Sequence, residues 1–491
     1  MITKNYFKKL AIAAMGLFAM STQANNLQIT GTTVDTSTGK ITFNLKWDNS
    51  WKTNITPANF DAVWVFVKYQ DCADKLWRHA DLSVTSADHV AGGTILKIDG
   101  VTDGKGAFVS RKINGGGNIA TTSITLKMNI AAANYENYNF KVMGIEMVNI
   151  PQSTSYWIGD GISTSAFTKF EITGNGSISS GSIGTGNAAP AAFPKGWNGF
   201  YSMKYEITQE QYVEFLNSLT YGQQARRSVA SPDAAASTFA FYNSYRNGIK
   251  IKVPGSNAAV PAVYGMDLTP GDFDDLNDGQ NIAMNWLSYA DVSAYLDWAA
   301  LRPMSEIEFE KICRGPIAPV ANENAWGSID LASIVTSSVT NQGLANEGYN
   351  AVANGRANYG ATSFSNPQFF NGPTKVGFTA TNASGRLSAA ASYYGVMEMS
   401  GNVGEFAVAA KTAGGSTYTG VLGDGELSTI TVSDGDSDQL LWPDPTGVFV
   451  RGGHFYEAGY STSNSAKLRV SDRSETTLLT RNPNYGGRGV R

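Results

Sequence analysis

Between Asn26 and about Thr173, apolar and polar residues alternate in short runs. Ile41, Phe43, Leu45 and Trp47 alternate with polar neighbours, as do Ile124, Leu126, Met128 and Ile130. This is the period of a half-buried strand. The run Val63-Trp64-Val65-Phe66-Val67 is apolar on both faces and predicts a central strand. Turn clusters at Asp35-Thr36-Ser37-Thr38-Gly39 and Asp99-Gly100 separate such runs. About seven or eight strands in roughly 150 residues predict an antiparallel β-sandwich over residues 25–173.

Residues 174–192 read GNGSISSGSIGTGNAAPAA, without apolar periodicity. Their Gly/Ser composition predicts a flexible linker. Beyond Phe193 the pattern changes to helix starts. Thr208-Gln209-Glu210-Gln211 and Ser305-Glu306-Ile307-Glu308 are capping boxes, with Ile207/Tyr212 and Met304/Phe309 spaced as hydrophobic staples. Ser288 with Asp291 starts a third helix, followed by Val292, Tyr295, Leu296 and Ala299 at helical spacing. The rest of residues 193–491 is rich in Gly, Asn, Ser and Thr and reads as loops. The fold class expected is therefore α+β: an N-terminal sandwich followed by a large irregular domain.

Composition agrees with loop-rich, β-heavy structure. Of 491 residues 52 are glycine, and only 16% are charged against a usual ~25%. The net charge of −4 makes a polyanion-binding surface, and hence a nucleic-acid partner, an unsuitable reading. Residues 1–24 place lysines before an apolar run from Leu10 to Met20 and small residues ending at Ala24, the pattern of a secretory signal peptide. That run is too short to span a bilayer, and no cysteine follows it to carry a lipid. The expected location is exported: periplasmic, cell-surface or extracellular, with no transmembrane segment in the mature chain. Cys72 and Cys313 lie far apart and do not suggest a disulfide, and three histidines (His79, His89, His454) cannot build a structural zinc site.

Five blocks occur in order: YSMKYEITQEQYVEFLN, NWLSYADVSAYLDWA, LRPMSEIEFEKICRG, YGVMEMSGNVGEF and FVRGGHF, with RGVR at the end. Over residues 193–491 this succession resembles the formylglycine-generating enzyme (sulfatase-modifying factor) domain. The resemblance implies an irregular α+β fold related to C-type lectins. It also implies a copper-dependent oxidase using two cysteines after the Arg-Gly-Gly motif, here Arg451-Gly452-Gly453. The family pattern puts Glu457 and Thr462 at those positions. Neither supplies the thiolate that favours Cu(I), so no copper is expected and formylglycine generation is not implied. The three-histidine iron site of related sulfoxide synthases is excluded too, because only His454 lies in this region.

The candidate pocket by position is Arg451, His454, Glu457 and Thr462. His454 reads either as a base or ligand contact or as a space-filling side chain, and the lack of a partner in sequence favours the second. The resemblance further implies a structural Ca2+ at Glu398, Gly401, Val403 and Glu405, two carboxylates and two turn carbonyls. Gly404 and Phe406 stand where the family has tryptophans. A second calcium site would use Asn358, Tyr359, Gln368 and Phe370, with its acidic ligand replaced by Gln368. Two acidic runs, Asp272 to Gly279 and Asp434-Asp436-Asp438, do not fit EF-hand spacing and read as solvated loops. Arg469, Asp472 and Arg473 read as a buried salt-bridge group.

These readings point away from an enzyme. They suggest a secreted, non-catalytic protein whose sulfatase-modifying-factor-like domain is a calcium-stabilised binding or assembly scaffold, for a protein or glycan ligand at the bacterial cell envelope or surface. Two other readings stay open. One is a cysteine-independent oxidase or other enzyme of the family. The other is a ligand-binding variable protein of a diversity-generating retroelement, suggested by the Ser, Thr, Asn and Tyr content of residues 455–477.

Overall fold

The computed structural model describes residues 26–130, 135–184, 188–349, 353–360, 370–381, 384–456, 465–476 and 479–491. The leader at 1–24 and Glu457, Thr462 and Gln368 lie outside the described residues. The protein is mostly β, with an antiparallel sheet at its N-terminal end. β1 (Gln28–Asp35) and β2 (Lys40–Lys52) form a hairpin whose turn is tied by Asp35 Oδ1, which accepts from the backbone and hydroxyl of Ser37. Alternation in β2 turns Ile41, Phe43, Leu45 and Trp47 inward, and all four are buried. Further strands are β3 (Asp61–Asp71), β4 (Trp77–Ala80), β5 (Val90–Ala91), β6 (Leu96–Gly100), β7 (Ala107–Arg111), β8 (Gly115–Lys127) and β9 (Tyr138–Ile150).

One sheet has the order β1-β2-β8-β5. The other runs from β6 through β7, β3 and β9 to Phe200–Met203, Gly489–Val490 and Arg302–Pro303, with β4 also paired to β3. β3 is apolar on both faces because each face meets a different core. Val63, Val65 and Val67 pack with the inward residues of β2 and β8. Ala62, Trp64 and Phe66 join a larger cluster with the aromatic residues of the helices, including Tyr212, Phe215 and Tyr295. Trp64 Nε1 donates to the carbonyl of Ala299 at 2.9 Å.

The sheet therefore continues from the N-terminal strands into the region expected to be separate. Phe200 to Met203 pair antiparallel with Ile150 to Met147 on the edge of β9, and Val490 pairs with both Ser202 and Arg302.

The expected flexible linker is a correction. Ile178 and Ala189 form an antiparallel bridge with both hydrogen bonds made, at 2.8 and 3.0 Å. Ile178, Ile183 and Ala189 are buried in the same cluster as Trp64 and Phe66. The described part of 174–192 is a packed strap. Two isoleucines among small residues leave no periodic signal, yet each fills a site in the core.

Four helices have side-chain capping boxes: α1 (Gln209–Leu216), α2 (Tyr221–Arg227), α3 (Tyr289–Trp298) and α4 (Glu306–Arg314). Three match the sequence expectation. The cap of α2, Thr220 with Gln223, escaped notice because the helix itself, YGQQARR, lacks an apolar stripe.

In α4 every residue is buried, although five of its nine are charged. Glu308 binds Arg302 through both carboxylate oxygens, at 2.7 and 2.8 Å. Glu310 pairs with Arg314 at 2.9 Å and accepts from the Gly159 amide at 2.6 Å. Arg314 also binds Glu323. Lys311 donates to the carbonyls of Pro151, at 2.7 Å, and Gly196. α4 is thus a charged axle gripped by segments from several parts of the chain, as buried charges require.

Replacing Ile183 with Ala should cost about 2–5 kcal/mol in denaturant unfolding, the usual range for a buried isoleucine. A change within about 0.5 kcal/mol, typical of an exposed position, would return this segment to the status of a linker.

Candidate functional site

The residues singled out in sequence converge on a small sheet. Gly404–Val408 pairs antiparallel with Val448–Arg451 and parallel with Tyr485–Gly486. Gly452 and Gly453 follow at φ +84° and +64°. A Cβ on Gly452 would lie 2.9 Å from the carbonyl oxygen of Met399, so these positions require glycine on two counts. The double turn carries His454 into the protein, where it is buried.

His454 has the partner that sequence did not reveal. Its Nε2 lies 3.4 Å from Glu475 Oε1, which also accepts from the Tyr485 hydroxyl at 3.1 Å. Lys467 Nζ stands 3.6 Å from the other carboxylate oxygen. Burial pushes the Glu475 carboxyl upward, but His454, Lys467 and Tyr485 together outweigh it and hold the group below the usual carboxylate range.

Arg451 is fully buried against the Phe309 ring, 4.9 Å from its centroid, with Glu306 and Glu310 of α4 each 3.6 Å away. Arg473 pairs with Glu306 and lies 3.5 Å from the Phe167 ring centroid. Of the expected buried salt-bridge group only Arg473 is anchored on α4: Arg469 is half-buried, and Asp472 accepts from the backbone and hydroxyl of Ser474. Arg451 acts in packing and pairing.

The turn expected to hold calcium is tight: Glu398, Gly401 and Asn402 have φ of +54°, +94° and +66°. Glu405 does not offer a free carboxylate, because the buried Arg488 guanidinium binds both its oxygens, at 2.6 and 2.8 Å. A cation there would meet the guanidinium charge, so Glu405 does not fit a calcium site. Glu398 fits better. Its Oε2 is buried with no hydrogen-bond partner, and burial raises its carboxyl to about 7 against the pull of the Gly377 amide, Arg488 and Lys375. It lines a small cavity with Asn358, Thr374, Ser400 and Asn402.

Two residues of this centre went unassigned in sequence. Glu206 accepts from Asn402 Nδ2 at 2.6 Å and from the Val403 amide at 3.0 Å. Burial holds its carboxyl well above the ordinary range. Its signal was a lone acid between apolar Tyr205 and Ile207. Arg488 stood in the terminal RGVR block, but its partner lies 83 residues away. Asn358 donates to the Gly372 carbonyl at 2.9 Å and to Asn402 Oδ1 at 3.1 Å, fastening two loops together. Phe370, by contrast, is buried under the Arg246 guanidinium at 4.5 Å, and Tyr359 is half-buried.

The acidic runs are less solvated than expected. Asp436 pairs with Arg226 and Arg227 at 2.5 and 2.6 Å, and Asp278 is buried, accepting from the amides of Thr269 and Asp275. Asp438 lies with Asp297 and Asp424, ligand-type oxygens within 4.8 Å of one another. The Asp297 carboxylate there accepts from Ser437 and from the amides of Asp424 and Asp438.

Copper does not fit the donors present. Cys313 is buried in α4, its thiol pushed well above the usual range by burial, and Cys72 is an exposed residue just after β3. Among the described residues no helix is long and apolar enough to cross a membrane.

Arg488→Met should destabilise the protein by about 3–5 kcal/mol, because it strands buried Glu405. The double variant Arg488→Met/Glu405→Leu should recover much of that loss in the same unfolding measurement.

No curated protein matches the chain. A solved structure from work on "pH-induced modulation of Streptococcus parasanguinis adhesion by Fap1 fimbriae" aligns with 28% of this chain and 71% of its own, at 16% identity and a TM-score of 0.14. A superposition of that quality has no bearing on fold or function. Residues 164–491 match the sulfatase-modifying factor enzyme 1-like domain, a span that begins within the segment read as sandwich and includes the strap, α1 to α4 and the Arg-Gly-Gly turn. The chain therefore belongs to the sulfatase-modifying factor enzyme 1-like family.

Proposed function

We propose that this protein is an exported, non-catalytic member of the family that uses the domain as a binding or assembly scaffold. One observation carries the reading. The residues that would surround the family's chemistry are committed to structure: Arg451 to Glu306 and Glu310, and His454 to Glu475. The thiol of this region, Cys313, is sealed inside α4. Among the described residues such a site offers no thiolate ligand, and its histidine is paired. The leader pattern supports export, and the ligand is a protein or glycan at the cell envelope.

Co-expression with a sulfatase-type target peptide should leave its cysteine unmodified by mass spectrometry. Conversion to formylglycine that disappears in His454→Ala would overturn the non-catalytic reading in favour of a cysteine-independent oxidase.

Calcium belongs to this proposal in reduced form, held by Glu398 with the carbonyls of Gly401 and Val403 and completed by water. The unpartnered Glu398 oxygen supports it. A bound ion at 100 times its Kd would contribute about 2.7 kcal/mol. Chelator should lower the thermal midpoint of the wild type and leave Glu398→Gln unchanged. An identical wild-type midpoint with calcium and with chelator would remove the ion from the proposal.

A further inference from the structure

Two open clefts lie away from the Arg-Gly-Gly turn, although Lys375 of the second also acts on the Glu398 carboxyl. The first, of 790 Å3, runs between the ends of β2 and β8 and the 380–397 segment. The second, of 520 Å3, lies beside Tyr349 and Lys375. They meet at Ala380, Thr381 and Ser384, which line both.

Their charge differs from that of the protein as a whole. In the full chain acidic residues outnumber Lys and Arg, 41 to 37, yet among the described residues no carboxylate side chain lines the first cleft. The second contains one, Glu347, whose oxygens are taken by Arg246 and by the amides of Gly343 and Lys375. The buried arginines elsewhere, such as Arg302, Arg314 and Arg488, sit against carboxylates. Of the groove cations Lys204 does, pairing with Glu146 and Asp61 at 3.0 and 3.6 Å, but the other three do not. Arg386 donates to the carbonyls of Cys313 and Ala325, at 3.0 and 2.9 Å. Arg356 donates to the Ser333 carbonyl at 2.6 Å and stacks on Tyr349 at 4.1 Å. Among the described residues, Lys375 forms no ion pair within 4 Å. Arg356, Lys375 and Arg386 thus line one groove with no carboxylate within ion-pair distance among the described residues.

Aromatic surface and neutral polar groups complete the lining. Trp51 is fixed by its Nε1 bond to Asn59 at 3.3 Å, carries Lys204 Nζ at 5.0 Å from its ring centroid, and stands with Tyr393 in the first cleft. Asn49, Asn118, Thr379 and Ser388 contribute amides and hydroxyls. Flat rings suit the C–H faces of pyranoses, amides and hydroxyls suit sugar hydroxyls, and guanidinium and ammonium groups suit carboxylate or sulfate substituents. An extended peptide would instead use main-chain pairing on a sheet edge.

We propose that the two clefts form a single groove for an anionic saccharide chain, with its rings on Trp51 and Tyr393 and its acidic substituents at Arg356, Lys375 and Arg386. This rests on the binding role proposed above and gives that role a ligand class.

The test is titration calorimetry of the full chain with an oligogalacturonate, a chondroitin sulfate oligosaccharide, a neutral malto-oligosaccharide and poly-glutamate, at low and high salt. At least one anionic saccharide should bind, more weakly in high salt, and well above the neutral one. Binding by the uronate alone assigns a carboxylate, and by the sulfated chain alone a sulfate. Lys375→Met should weaken binding about tenfold, as loss of one charge-assisted contact implies, without lowering the thermal midpoint. Trp51→Ala should weaken it as well. No binding of either anionic saccharide, unchanged affinity in Lys375→Met, or equal affinity for poly-glutamate would overturn the assignment. A negative formylglycine assay beside failed saccharide binding removes only the groove's ligand. A positive assay removes the non-catalytic reading whatever the calorimetry gives.

Discussion

The rest of the architecture depends on the demand of α4 for partners. Charged side chains can be buried only if opposite charges and hydrogen-bond groups surround them, and α4 buries five. Each partner comes from a different stretch of chain: Arg302 from the preceding strand, Glu323 from the following loop, Arg451 and Arg473 from the C-terminal third, and backbone carbonyls from Pro151 and Gly196. A domain with so little regular secondary structure lacks the long ladders that usually set the position of distant segments. Here the ion pairs and amide bonds around one short helix fix them, and the second sheet then closes across the top.

The same logic gives the family's Arg-Gly-Gly motif a structural role of its own. The Arg-Gly-Gly turn is needed because Arg451 is one of the partners of α4 and because Gly452 passes too close to Met399 for a side chain. Glu405 is needed because Arg488 is buried against it. Motif residues kept for such reasons mark a fold, and their presence alone does not argue for catalysis. His454 belongs to a small polar cluster with Glu475, Tyr485 and Lys467.

Much of this could be read from sequence where the signal was local. Alternation located β2 and the distal part of β8, the doubly apolar run found β3, and the capping boxes of α1, α3 and α4 were correct to the residue. The blocks led to the family that residues 164–491 match. What stayed hidden was long-range. A Gly/Ser strap has no periodicity, yet Ile178 and Ile183 seat it. The partners of Glu206, Glu405 and His454 lie from 21 to 197 residues away, and spacing along the chain carries no trace of them. For the candidate site, position identified Glu398 but could not show that Glu405 was already neutralised.

The pairing of Val490 has a consequence for how the chain reaches this state. That residue lies between Ser202 and Arg302, so a residue made long after both occupies an interior position of the larger sheet. Until it arrives, the strand Phe200–Met203 has an open edge, and the row from β6 to that strand ends in unpaired backbone. Sheet closure therefore waits until residue 490 has been made, and until then the growing chain carries an adhesive margin whose shielding is a condition of productive assembly.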